Sequence, residues 1–120
     1  MEQKLQNKLF EKYPKIFVNK SLSIQESCMG QGITCGDGWY SLLDTLCHCI
    51  QKHSDHTENQ IIAHQVKSKF GGLRFYTNSC DPYVCGMIAM AETMSRTIEE
   101  GTWRDQPNDW DCTPTGESNG

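Results

Sequence analysis

Apolar positions near the start of the chain recur with the 3.6-residue period of a helix. Leu5, Leu9, Phe10 and Tyr13 fall on one side before Pro14 interrupts the repeat, which predicts a helix over about residues 2–13. From Ile16 to Gly36 the periodicity breaks up into a long, structured loop. Within it Ser23 and Glu26 stand at capping-box spacing and predict a short helical turn ahead of the glycine-rich "GQGITCGDG". "DGWYSLLDTLCHCIQKHS" then places Trp39, Leu42, Leu43, Leu46 and Ile50 on one stripe of a second helix, with Asp37 where an N-cap would accept a backbone N–H.

The polar "KHSDHTENQ" turns the chain. Beyond it, "IIAHQVKSKF" and "LRFYTN" are rich in β-branched and aromatic residues around Gly71 and Gly72, a pair suited to a tight primed turn, and predict a β-hairpin. A last helix is expected with Asp81 as N-cap and Pro82 at its first position. It carries Val84, Met87, Ile88, Ala91, Met94 and Ile98 down one face and stops at Gly101. Two helices, a hairpin and a helix make a small single α+β domain over residues 1–101, with the helices packed on one face of the sheet. Residues 102–120 form an acidic tail without periodicity that carries Trp103 and Trp110.

With Gly71 and Gly72 as a two-residue loop, Phe70 pairs with Leu73, Ser68 with Phe75 and Val66 with Thr77 on the core face. The opposite face then pairs Lys69 with Arg74, Lys67 with Tyr76 and Gln65 with Asn78, setting two cations across from each other. Like charges so placed destabilise mildly, so an acidic group is expected nearby: a carboxylate of the same chain, a partner's acidic surface, or a phosphate, which suits an arginine fork beside an aromatic ring.

Length and charge narrow the function. A chain of 120 residues and 13.6 kDa can bury one modest core, which favours a binder over an elaborate enzyme. The net charge of −4, the pI near 5.5 and the mean hydropathy of −0.60 describe a soluble, mildly acidic protein. No apolar run approaches the roughly 20 residues needed to span a bilayer, so no membrane partner is expected. "MEQKLQNKLFEKYPKIF" lacks the features of a secretion signal, and a cytoplasmic location follows as the expectation. Seven cysteines, an odd number without an export signal, read as reduced thiols. Lys4, Lys8, Lys12, Lys15 and Lys20 gather in the opening segment, whereas the last forty or so residues are mostly acidic.

Other candidate sites are weaker. Asp37, Trp39 and Tyr40 at a helix start could hold a planar ligand, the rings stacking and the carboxylate accepting hydrogen bonds, although a glycine turn, a cap and a buried tryptophan would read the same way. Gly30 and Gly32 lack the preceding strand and following Lys-Ser or Lys-Thr of a phosphate-binding loop. Cys49 and His53 form an i, i+4 pair able to share a zinc ion, but Cys47 points away and no second cysteine pair completes a site, so no metal or other cofactor is assigned. Cys80 and Cys85 straddle a helix cap without a neighbouring base. His64 is expected at the core edge on the Val66 side, and the consecutive Glu99 and Glu100 face apart, leaving no catalytic residue to name.

At "CGDGWYSLLDTLC", "VKSKFGGLRFYTN" and "GMIAMAETMSRT" the chain resembles a family of small proteins encoded by bacteriophages and prophages, the likeness covering residues 8–98. Family members often continue into a Cys-x-x-Cys-Gly knuckle; here "RTIEEGTWRD" has no cysteine, and the knuckle is not carried over. The resemblance implies a non-enzymatic accessory protein that neutralises a bacterial immune component by stoichiometric binding, in the cytoplasm of an infected host. Lys67, Lys69, Arg74 and Tyr76 would form one side of the contact, with Asp37, Trp39 and Tyr40 adjacent and Trp103 and Trp110 as aromatic anchors. The target is either a protein effector or its nucleotide signal, and a homo-oligomer stays open. The alternative is a small nucleic-acid-binding module using the first helix and the hairpin, against which the net negative charge counts.

Overall fold

Helix α1 (Gln3–Lys12) buries Leu5 and Leu9 and ends just before Pro14, as the apolar repeat requires. The computed structural model describes residues 1–21, 28–79 and 81–101. After α1 the chain turns inward, burying Tyr13, Ile16 and Phe17, and the Phe17 ring meets Phe10 edge-on at 5.2 Å. Short 3₁₀ turns follow at Val18–Ser21 and Cys28–Gln31. The turn expected at Ser23 and Glu26 lies outside the described residues.

Strand β1 (Ile33–Thr34) is absent from the sequence-based expectation, because two residues are too few to show an alternating pattern. It pairs in parallel with β2 (Ala63–Lys69), Ile33 opposite Val66 and Thr34 opposite Lys67. On the far side of β1, the Gln6 side chain accepts the Ile33 amide at 3.0 Å and the Met1 amino group donates to the Ile33 carbonyl, so α1 covers that edge.

Helix α2 (Tyr40–Thr57) carries the expected stripe: Leu42, Leu43, Leu46 and Ile50 are buried together with Trp39 just ahead of them. Asp37 does not cap it. A 3₁₀ turn over Asp37–Trp39 intervenes, and the Asp37 carboxylate accepts the Glu2 amide at 2.7 Å, which holds the start of α1 instead. At the other end Glu58 adopts the left-handed conformation that closes a helix, and the buried Ser54 hydroxyl accepts the Ile61 amide.

Strand β3 (Gly72–Thr77) pairs antiparallel with β2 and gives the sheet the order β1-β2-β3. The turn sits one residue earlier than Gly71 and Gly72 suggest. Phe70 and Gly71 both have positive φ, 53° and 76°, as a type I′ turn demands, and Lys69 faces Gly72. This register sets Val66 against Phe75 and Ser68 against Leu73, with Val66, Leu73 and Phe75 buried, and places Phe70 in the turn, 86% exposed. Each partner moves by two positions, so both strands keep their faces. An irregularity between Ala63 and Gln65 turns His64 out to solvent, away from the core edge expected for it.

Helix α3 (Pro82–Ser95) opens as its sequence dictates, the Asp81 carboxylate accepting the Tyr83 amide at 2.8 Å. It buries Val84 and Ala91 and lies along β3, where the Ser95 hydroxyl accepts the Leu73 amide and the Glu92 carboxylate accepts the Phe75 amide. The second sheet edge is thereby satisfied by side chains. The helix stops at Ser95 and not at Gly101, because residues 96–100 fold back over α2: the Trp39 indole donates to the Ile98 carbonyl, and Glu100 binds Ser68 and the amide of Gly36. A Cβ on Gly36 would collide with the Glu100 backbone, so this crossing needs glycine.

Candidate functional site

Alternation along the two hairpin strands sends Lys67, Lys69, Arg74 and Tyr76 outward, as the sequence pattern predicts. Their pairing differs. Lys67 faces Arg74 and Gln65 faces Tyr76, so the row across the sheet reads Thr34, Lys67, Arg74. Lys67 and Arg74 are half-buried, Lys69 is exposed, and the Tyr76 ring stands 43% exposed beside them. The Arg74 Nη1 donates to the Leu73 carbonyl at 3.1 Å, and the Lys69 ammonium lies 5.6 Å from the centre of the Phe70 ring.

A further cation, which hydrophobic periodicity gave no means of placing, joins this face. Arg96 follows the last residue of α3, and its guanidinium reaches across β3 to Gly72; the point where a Cβ on Gly72 would sit is 3.5 Å from Arg74 Nη1 and 3.5 Å from Arg96 Nη2. Among the described residues none of Lys67, Lys69, Arg74 and Arg96 forms an ion pair. Two carboxylates that reach the hairpin are engaged elsewhere: Glu92 accepts the Phe75 amide, and Glu100 bridges Ser68 and the Gly36 amide.

Asp37, Trp39 and Tyr40 do not extend this face. Trp39 is 1% and Tyr40 7% exposed, so neither ring can stack on a ligand, and the Asp37 carboxylate is taken by the Glu2 amide. Their composition matches a ligand platform, but burial makes the indole a core side chain whose N–H is satisfied by Ile98. Trp103 and Trp110 lie outside the described residues.

The cysteine and histidine residues separate into distinct settings. His53 Nε2 lies 2.8 Å from Asp81 Oδ2 and its ring is 5.4 Å from that of Tyr83, tying the end of α2 to the start of α3. Burial pushes the Cys35 thiol up to about 12 and raises Cys47 well above its ordinary value, so both stay protonated. Cys28, Cys49 and Cys85 are exposed and free; Cys80 lies outside the described residues.

Among the described residues the most buried charged side chain is Asp44, which in the sequence reads as one polar position among apolar ones. It is 1% exposed and held from α1: the Tyr13 hydroxyl donates to Oδ1 at 2.6 Å and Lys12 Nζ lies 3.0 Å from Oδ2. Lys12 is therefore paired within the chain, which weakens a nucleic-acid surface built on the α1 lysines.

A second surface lies between α2 and α3. Leu42, Leu46 and Cys49 face Met87, Met90 and Met94 across an open apolar groove of about 330 Å³. Helical spacing put Met87 and Met94 on one face; Met87 packs partly buried against the core, whereas Met94 is 43% exposed and the neighbouring Met90 66%. Among the described residues no helix is long and apolar enough to cross a membrane. Comparisons with protein-family models, with curated proteins and with solved structures find no match to this chain.

Proposed function

We propose that this is a non-enzymatic binding protein that uses the outward face of its hairpin to engage an anionic target. The observation that carries the reading is the gathering of Lys67, Lys69, Arg74 and Arg96 on one face with no ion pair among the described residues. Like charges brought together without a counterion repel, and an anionic ligand relieves the repulsion while using donors already in place. Tyr76 and Phe70, both exposed beside the cations, add aromatic surface for contact.

In the setting that the phage-family resemblance suggests, the target is a component of bacterial defence, either the acidic surface of an effector or a nucleotide signal, and the protein acts by stoichiometric sequestration. Capture from host lysate, set beside calorimetry against cyclic nucleotides, tests this. Binding in either assay that Arg74→Glu abolishes without lowering the melting temperature supports the reading; binding that survives the charge reversal removes the hairpin face as the site.

A further inference from the structure

Resting on that reading, we propose that Arg74 and Arg96 form a two-armed clamp for a phosphate group above Gly72, and that the ligand class is a nucleotide. The geometry comes from two different elements. Arg74 rises from the middle of β3, while Arg96 reaches in from the end of α3, and their guanidinium nitrogens meet the same point over Gly72, each at 3.5 Å. Gly72 carries no side chain and is buried beneath the two guanidinium groups, which cover its backbone side by side and turn their remaining donors outward. Arg96 sits at the negative end of the α3 dipole, so its charge is favoured there independently of any partner.

Donor accounting points to an oxyanion with more than two acceptors. Each guanidinium presents five N–H donors in a planar fork, and of these Arg74 uses Nη1 on the Leu73 carbonyl. A carboxylate offers two oxygens and a single charge, whereas a phosphate monoester offers three terminal oxygens and a charge of about −1.5 to −2, which lets two forks bind it from different sides with more charge to neutralise them. Lys67, directly opposite Arg74, adds a third cation to the same row. The aromatic side chains select what the phosphate carries. Tyr76 is the next outward residue after Arg74, roughly 7 Å along the strand, and Phe70 stands exposed at the tip beyond Gly72, so a base attached to the phosphate has a ring to stack on in either direction.

The test titrates the full chain with inorganic phosphate, adenosine monophosphate and adenosine separately, following the Nε–Hε resonances of arginine by NMR. Phosphate and the nucleotide should move the Arg74 and Arg96 signals, adenosine alone should not, and the nucleotide should bind more tightly than phosphate. Arg96→Lys keeps the charge but removes the fork, and should weaken the nucleotide at least about tenfold with an unchanged melting temperature. Tyr76→Ala should reduce the advantage of the nucleotide over phosphate. The clamp is overturned if neither anion moves those resonances, if Arg96→Lys binds like the parent, or if residues 102–120 already occupy the arms, seen as Arg74 and Arg96 signals that shift when Asp105, Asp109 and Asp111 are changed to asparagine. Should the anions fail while capture of a host protein remains sensitive to Arg74→Glu, the cationic-face reading stands and only the phosphate assignment falls.

Discussion

Lys67 and Arg74 stand directly opposite each other on the outward face of the hairpin. A like-charge pair in that position is tolerated for function or at a small cost, and the sign of one substitution distinguishes its role from structure. Arg74→Glu creates an opposite-charge pair with Lys67, so the variant should be more stable than the parent by about 0.2–1 kcal/mol in thermal unfolding. A clear loss of stability would show that Arg74 serves the fold, through its contact with the Leu73 carbonyl.

The turn makes a second prediction. Phe70 holds a left-handed φ of 53° that an aromatic residue adopts at a cost, and it buries little in return. Phe70→Asn restores the Asn-Gly pair that type I′ turns favour and should stabilise the protein by roughly 1 kcal/mol, measured by denaturant unfolding. Unchanged or reduced stability would mean that the exposed ring and its contact with Lys69 compensate for the backbone.

Asp44 joins α2 to α1 from inside the core, with Tyr13 and Lys12 as partners. Asp44→Ala takes the carboxylate acceptor from the buried Tyr13 hydroxyl and should cost about 1–3 kcal/mol. Lys12→Ala should cost less, because the lysine side chain is a third exposed and water can take its place at the carboxylate. Equal losses from both variants in urea unfolding would contradict this ordering.

Acid should weaken the α2–α3 junction. The hydrogen bond from His53, helped by the Tyr83 amide and opposed by partial desolvation, holds the Asp81 carboxyl below its ordinary value of 3.8. The folded state therefore binds fewer protons than the unfolded state in this range, so the contribution of Asp81 is complete well above 3.8 and is lost as pH falls through the lowered folded value. The stability difference between the parent and Asp81→Asn should be widest near neutrality and shrink in acid; a difference that does not vary with pH would rule out the linkage.

Thiol labelling separates the cysteines by environment. In the native protein at mildly alkaline pH, maleimide should modify Cys28, Cys49 and Cys85 and spare Cys35 and Cys47 until denaturant is added, as read by peptide mass spectrometry. Native labelling of Cys35 at a rate comparable to Cys28 would overturn the burial assigned to it.

How much of this was legible in the sequence depends on the range of the interaction concerned. Periodicity in the chain determined α1, the stripe of α2, the Asp81–Pro82 start of α3 and the outward direction of Lys67, Lys69, Arg74 and Tyr76, because each follows from the repeat of one element taken alone. The α+β class followed from the order of those elements. Contacts between distant segments decided the rest. The hairpin register sets Val66 against Phe75, two positions from the pairing that Gly71 and Gly72 suggest, and alternation within each strand is blind to that choice because the same residues face the core in both. Trp39 became a core side chain because residues 96–100 fold over it, and Asp37 spent its carboxylate on the start of α1. Arg96 joined the cationic face only when the end of α3 was laid against β3, a placement that no local pattern encodes, since a charged residue after a helix is free of periodicity and its neighbours are chosen by packing.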